Sequence, residues 1–300
     1  MIKQIREEEE KRWLEIKNNA NVEELKKYYA ELYNAIELLI KSDKLKSLLV
    51  LGKSGLGKTF NTKLFLSEFL GLNDIISISG HITPRQLFET LSDNNKNKVI
   101  ILDDISEILK NNISYNLLLQ ALDLNKNQIS WETKNGREVV DFNSKIVIIA
   151  NKVNNCDALK SRCLNVELNF DYNTILEIML LIAKQKHPKI TTEKRIELIE
   201  WLKQHTTKAT TNFDLRTQMI LEEAYLHLQN WENFMINYLK ENEILRLVIE
   251  IENLSNLNEK AKAQIFREET GYSVIYFKKL KSKLGLTNQK FNSWGKNVSI

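Results

Sequence analysis

Gly52-Lys53-Ser54-Gly55-Leu56-Gly57-Lys58-Thr59 has the residue types and spacing of a phosphate cradle, G-x-x-x-x-G-K-[ST]. Glycines at these positions let backbone N–H groups turn inward on phosphate oxygens. A helix beginning there adds the partial positive charge of its N-terminus. In that arrangement Lys58 reaches the β- and γ-phosphates and the Thr59 hydroxyl ligates Mg²⁺. Phe60, next in sequence, is counted with the binding residues. An ordinary glycine-rich turn would satisfy the same pattern, but both flanks argue for the cradle. An apolar run, Leu48-Leu49-Val50-Leu51, precedes it, and Phe60, Leu64, Phe65 and Phe69 follow at helical spacing. The expected ligand is a nucleoside triphosphate.

Acidic and amide side chains supply the rest of such a site. Asp103 ends the apolar run Val99-Ile100-Ile101-Leu102, where a Mg²⁺-coordinating carboxylate belongs, facing the phosphate loop across adjacent strand ends. Asp104 beside it is placed to orient the attacking water as general base. Two acids after a strand also occur as plain loop residues. Asn151 ends a further apolar run, 146–149, and fits by position as a polar sensor of the γ-phosphate. His81 reads as a loop residue rather than a catalyst.

The elements that must hold these groups alternate. Behind Asn21 as N-cap, an apolar stripe from Val22 to Ile40 predicts a packed helix. Strands are expected at 48–51, 75–79, 99–102 and 146–149, their continuous apolar character suiting a parallel sheet covered on both faces. A helix over 60–70 would stop at Gly71 in a left-handed cap. Thr83-Pro84-Arg85-Gln86 is a capping box, and 114–124 a further helix. Within 128–141 the turn Lys134-Asn135-Gly136-Arg137 signals a β-hairpin. Beyond residue 170 only helices are expected: 171–186, 193–205, 214–230, one long helix over 231–254, 258–270, and 274–284 capped by Ser273. The fold class is α/β, a doubly wound parallel sheet, followed by an α-helical lid and a small α-helical C-terminal domain. The expected divisions are an N-terminal helical segment at 1–42, a nucleotide-binding core at 43–170, the lid at 171–230, and a linker helix with terminal domain at 231–300.

Composition narrows the class further. The chain has 300 residues, 43% of them hydrophobic, with two prolines and nine glycines, which suits a helix-rich globular protein. Cys156 and Cys163 lack metal or redox spacing. The N-terminus is charged from its third residue, no apolar run is long enough for a membrane span, and a cytoplasmic protein with no membrane partner is expected. The mixed-charge start, 1–17, reads as a solvated helix or as a partner-binding arm. A net charge of +4 excludes nothing, but residues 270–300 carry six lysines and no acid.

The motifs together resemble the AAA+ P-loop NTPases over residues 22–230. The resemblance is carried by GKSGLGKT at 52–59, VIILDD at 99–104, IVIIAN at 146–151, ALKSRC at 158–163 and FDLR at 213–216. It implies ATP and Mg²⁺ as cofactors and Mg²⁺-dependent ATPase activity. It also implies sensor 1 at Asn151, an arginine finger at Arg162 and sensor 2 at Arg216. Since that finger acts on a neighbour's nucleotide, a hexamer-like ring or helical homo-oligomer is implied. The alternative for Arg162 is a surface arginine on a helix end. The family usually has Glu where this chain has Asp104, one methylene shorter, so weak turnover stays open.

Two features point to DNA. The hairpin offers Lys134 and Arg137, which would grip phosphates by charge; a simple connecting hairpin is the alternative. The last two helices resemble a helix-turn-helix, with Tyr272, Lys278, Lys279, Lys281 and Lys283 facing outward toward DNA. A basic solvated cap is the alternative there. The leading expectation is an ATPase of replication initiation, helicase loading or strand remodelling, with a helicase or other replication protein as a further partner. The Asn-, Lys- and Ile-rich composition resembles phage, plasmid or low-GC prokaryotic proteins. The alternatives are a protein-remodelling ATPase and a nucleotide-gated scaffold.

Overall fold

The computed structural model describes residues 17, 21–104, 106–133, 136–153 and 156–286. The charged segment before Lys17 and hairpin residue Lys134 therefore lie outside the described residues. Two compact units are present. One holds the described residues up to Phe170 together with Glu177–Ile196, the other Asp171–Leu176 with those from Glu197 onward.

The first unit is built on a five-stranded parallel sheet. Its strands are β1 (Ser47–Gly52), β2 (Ile75–Ser79), β3 (Val99–Asp103), β6 (Lys145–Ala150) and β7 (Leu164–Leu168), in spatial order β2-β3-β6-β1-β7. β4 (Gln128–Thr133) and β5 (Gly136–Asp141) form a separate antiparallel hairpin. Leu48, Leu49, Ile100, Ile101, Val147 and Ile148 are fully buried, as strands covered on both faces require. The register aligns Leu51 with Ala150 and Asp103 with Ile149, so β1, β3 and β6 end together along one edge. β6 separates β3 from β1, so Asp103 faces the phosphate loop across an intervening strand, not across adjacent ends.

β7 has no counterpart among the expected elements. It is an edge strand whose Leu-Asn-Val-Glu-Leu alternation buries Val166 and Leu168 and exposes Asn165 and Glu167. The helix after the phosphate loop runs Lys58–Leu66, and Gly71 is extended (φ −68°, ψ 150°) rather than left-handed. A short 3₁₀ turn, Leu72–Asp74, carries the chain into β2 instead. The capping box of helix Pro84–Asp93 forms as expected, with Thr83 and Gln86 exchanging hydrogen bonds. Expected helix 114–124 lies at Asn112–Ala121, started by the Asn111 side chain. In the hairpin, Thr133 pairs with Gly136 and Glu132 with Arg137, so Gly136 and Arg137 belong to β5 rather than to the turn.

The second unit is helical. The expected helix over 231–254 is two, Trp231–Tyr238 and Glu243–Glu252. The break is made by backbone pairing with a distant segment. Thr210 bridges Glu241, Thr211 N–H donates to the Lys240 carbonyl (2.8 Å), and Asn242 N–H donates to the Ala209 carbonyl (3.0 Å). The Asn242 side chain then caps the new helix on Leu245 N–H. Helices Glu259–Thr270 and Val274–Lys283 follow, joined through Gly271–Ser273. Ala209, Val248, Ile251, Phe266, Phe277 and Leu280 share one core, with the Phe266 and Phe277 rings 4.9 Å apart.

Candidate nucleotide site

The phosphate loop leaves β1 at Gly52. A Cβ there would meet the Leu168 carbonyl at 2.6 Å, and the φ of +150° disfavours any side chain, so glycine is required where β1 runs against β7. Gly55 (φ 76°) and Gly57 (φ 69°) supply the left-handed turns that curl the loop. Gly57 is the N-cap of the nine-residue helix Lys58–Leu66. Lys53 and Ser54 are exposed, Gly55 is half-buried and Leu56 is buried.

Lys58 is only 8% exposed, and its ammonium donates to Gly52 O (2.8 Å), Lys53 O (2.6 Å) and Asn151 Oδ1 (3.0 Å). The Thr59 hydroxyl donates to Asp103 Oδ2 at 2.6 Å. Side-chain hydrogen bonds thus tie Lys58 and Thr59, at the start of the helix after the loop, to Asn151 at the end of β6 and Asp103 at the end of β3. Hydroxyl and carboxylate oxygens are the hard donors that Mg²⁺ prefers. Two protein oxygens suit an ion whose remaining ligands are substrate phosphates and water. The residues present therefore fit ATP with Mg²⁺.

Asp104 follows with its side chain exposed and its backbone left-handed (φ 55°). Its N–H donates to the Ile149 carbonyl (3.2 Å), extending the β3–β6 pairing by one residue. Asp tolerates this conformation better than longer side chains do, because it bonds its own backbone locally. The backbone thus gives a physical reason for Asp at this position.

Phe60 is exposed on the first helical turn. Arg162 follows the short helix Asp157–Lys160 and turns its guanidinium back on the Ala158 carbonyl (2.7 Å). Arg216 is exposed in the second unit, in the first turn of helix Leu215–His227, where the Asp214 side chain caps its N–H. Arg137 is exposed and donates to Ser130 Oγ across the hairpin (2.8 Å).

The terminal helix requires a correction. Tyr272, Lys278, Lys279 and Lys283 are exposed as expected, but Lys281 is buried. Its ammonium pairs with Glu252 (2.9 Å) and Glu259 (2.6 Å) from the two preceding helices. Burial opposes its charge, but the hydrogen bonds to these two carboxylates outweigh it and hold the Lys281 pKa above the ordinary value. The cause lies in the spacing: Lys281 follows Phe277 by four residues and precedes Leu284 by three, which puts it in the apolar stripe.

Two residues beneath the loop carry no sequence signal for a role there. Tyr29, 1% exposed, donates its hydroxyl to the Leu56 carbonyl (2.9 Å). Asn61, 2% exposed, donates through Nδ2 to the Gly57 carbonyl (2.9 Å). Among the described residues no helix is long and apolar enough to cross a membrane.

No protein-family model matches the chain. It is similar to an uncharacterized 36.7-kDa protein from the nrdC–mobD intergenic region of Enterobacteria phage T4, at 24% identity over 75% of this chain and 80% of that protein. Among solved structures it is similar to a point mutant of Thermotoga maritima RuvB, with a TM-score of 0.50 and 14% identity over 87% of this chain and 88% of that one. It is also similar to T. maritima RuvB described as a Holliday junction branch migration motor, with a TM-score of 0.49 and 14% identity over 87% of each chain. The first of these likenesses is one of fold: a five-stranded parallel sheet with flanking helices, followed by a helical domain.

Proposed function

We propose that this chain is a Mg²⁺-dependent AAA+ ATPase that couples ATP binding and hydrolysis to DNA binding or remodelling. The observation that carries the ATPase reading is the convergence of Lys58, Thr59, Asp103 and Asn151 at the shared end of β1, β3 and β6. The loop amides and Lys58 hold the phosphates, while Thr59 and Asp103 hold the metal. Mg²⁺, when bound, neutralises charge developing on the phosphate oxygens. Asp104 takes the proton of the attacking water, Asn151 fixes the γ-phosphate, Arg162 completes the site of a neighbouring copy, and Arg216 acts as a second sensor. A ring or helical homo-oligomer follows from that role of Arg162.

On the DNA side, the exposed Lys278, Lys279 and Lys283 and the hairpin's Arg137 touch phosphates, and Tyr272 adds a sugar or base contact. This pairing of a nucleotide site with phosphate-gripping surfaces suits replication initiation, helicase loading or a helicase-like motor. ATP turnover with and without single- and double-stranded DNA, on a sample sized at the same time, tests the reading. Stimulated turnover by an oligomer is expected. No phosphate release under any condition would overturn the enzyme reading.

One observation favours a second reading, an ATPase that remodels protein. Met219, Ile220, Ala224, Leu228 and Phe234 line an apolar groove of about 510 Å³ in the second unit. DNA affinity that is weak and nearly independent of salt would decide for it.

A further inference from the structure

The hydroxyl of Tyr29 sets the direction of a phosphate-binding amide. Tyr29 lies between the helical stretches Val22–Tyr28 and Ala30–Lys41, with its ring packed edge-on to Phe170 (5.0 Å) and Phe65 (6.4 Å). Burial raises its pKa, so the phenol stays protonated and acts as a donor. Its acceptor, the Leu56 carbonyl, lies between the left-handed Gly55 and Gly57. The Leu56–Gly57 peptide is trans. In a trans peptide the C=O and the next N–H point in opposite directions. Fixing Leu56 O toward the buried Tyr29 therefore aims Gly57 N–H the other way, toward the exposed side of the loop.

Asn61 treats the next peptide likewise. The Gly57 carbonyl accepts from both Asn61 N–H and Asn61 Nδ2, each at 2.9 Å, which fixes the opposed Lys58 N–H. Two successive peptide planes are thus held from beneath. Glycine at 57 leaves the Leu56–Gly57 peptide freer to flip than a residue with a Cβ would, so it gains from an external restraint. We propose that Tyr29 is a positioning residue that preorganises the Gly57 amide for nucleotide phosphate. This rests on the nucleotide reading given above. Preorganised donors gain affinity because the cost of ordering them is met during folding.

The test is Tyr29→Phe, which keeps the ring and removes only the donor. Tyr33→Phe serves as control, since Tyr33 packs on the same Phe65 ring (5.4 Å) from the helix that follows Tyr29. Titration with fluorescent analogues of ATP and ADP should show affinity about tenfold lower in Tyr29→Phe. Tyr33→Phe should match the wild type. With ¹⁵N-glycine labelling the chain gives at most nine glycine amide signals. The Gly57 signal should shift on adding Mg-ADP in the wild type and much less in Tyr29→Phe. Equal affinity and equal shifts would overturn the role, as would an equal loss in Tyr33→Phe. Lys58→Ala separates the two levels. If it too leaves binding intact, the nucleotide reading fails. If it abolishes binding while Tyr29→Phe does not alter it, only the positioning role fails.

Discussion

The Lys58 ammonium and the Asn151 amide oxygen, 93 residues apart in sequence, lie 3.0 Å from each other and join the phosphate loop to the end of β6. The loop lysine is therefore held in place by the residue expected to sense the γ-phosphate. Hydrogen bonds to a charged group are worth about 1.5–3 kcal/mol each, or roughly 10- to 150-fold in affinity. Lys58→Ala should lower ATP affinity by at least that range in a fluorescence titration. Asn151→Ala should bind nearly normally yet turn over about 10²–10³-fold more slowly, the usual cost of one donor at developing charge. Wild-type turnover in Asn151→Ala would remove it from the catalytic set.

Asp104→Asn should keep the fold, because Asn tolerates the left-handed φ of 55° as well as Asp does. Losing the carboxylate should slow hydrolysis about 10²–10⁴-fold, the usual worth of a general base, and trap bound ATP. Single-turnover kinetics beside a thermal melt would check both halves. Hydrolysis at the wild-type rate rules out the base assignment.

Arg162→Ala should leave nucleotide binding intact, since its guanidinium rests on Ala158 rather than on its own loop. Turnover should fall by about 10³-fold or more, as for other arginine fingers. Mixing Arg162→Ala with Lys58→Ala subunits should restore part of the activity through hybrid interfaces. An isolated monomer as active as the oligomer would sink the trans role.

The terminal lysines should divide into two kinds. Lys278, Lys279 and Lys283 are exposed, so changing all three to Ala should cost little stability. For every phosphate left unneutralised, the slope of log affinity against log salt should flatten by about 0.9 on duplex DNA. Lys281→Ala should instead destabilise the second unit, by about 1–3 kcal/mol, because Glu252 would lose its closest cation. Denaturant melts of the two variants distinguish the kinds. An unchanged salt slope in the triple variant would leave Arg137 and the hairpin as the remaining case for DNA.

The central strands are legible because burial on both faces leaves an uninterrupted apolar run, and the phosphate loop because its glycines are a backbone requirement. β7 is hard to see because it is only five residues long and no turn signal bounds it, although its Leu-Asn-Val-Glu-Leu alternation is itself a strand pattern. The break before Asn242 is hidden because its cause is pairing with residues 209–211, which no local pattern contains. Charge alone turns Lys281 outward, although its spacing from Phe277 and Leu284 marks the inward face. Its acidic partner Glu259 lies 22 residues away on another helix. Tyr29 is legible as core, but nothing in a sequence says where a buried hydroxyl points.

The clip between residues 209–211 and 240–242 bears on how this protein can be cut and recombined. Ala209, far upstream, is fully buried in the core made by the last three helices. A fragment ending at Tyr238 would strip Ala209 of that cover and leave the Ala209 carbonyl and Thr211 N–H unpaired. The last three helices are therefore not a cassette that can be grafted by one cut. Any exchange that preserves them must carry the loop around Ala209 as well, so the natural unit of swapping is discontinuous in the chain.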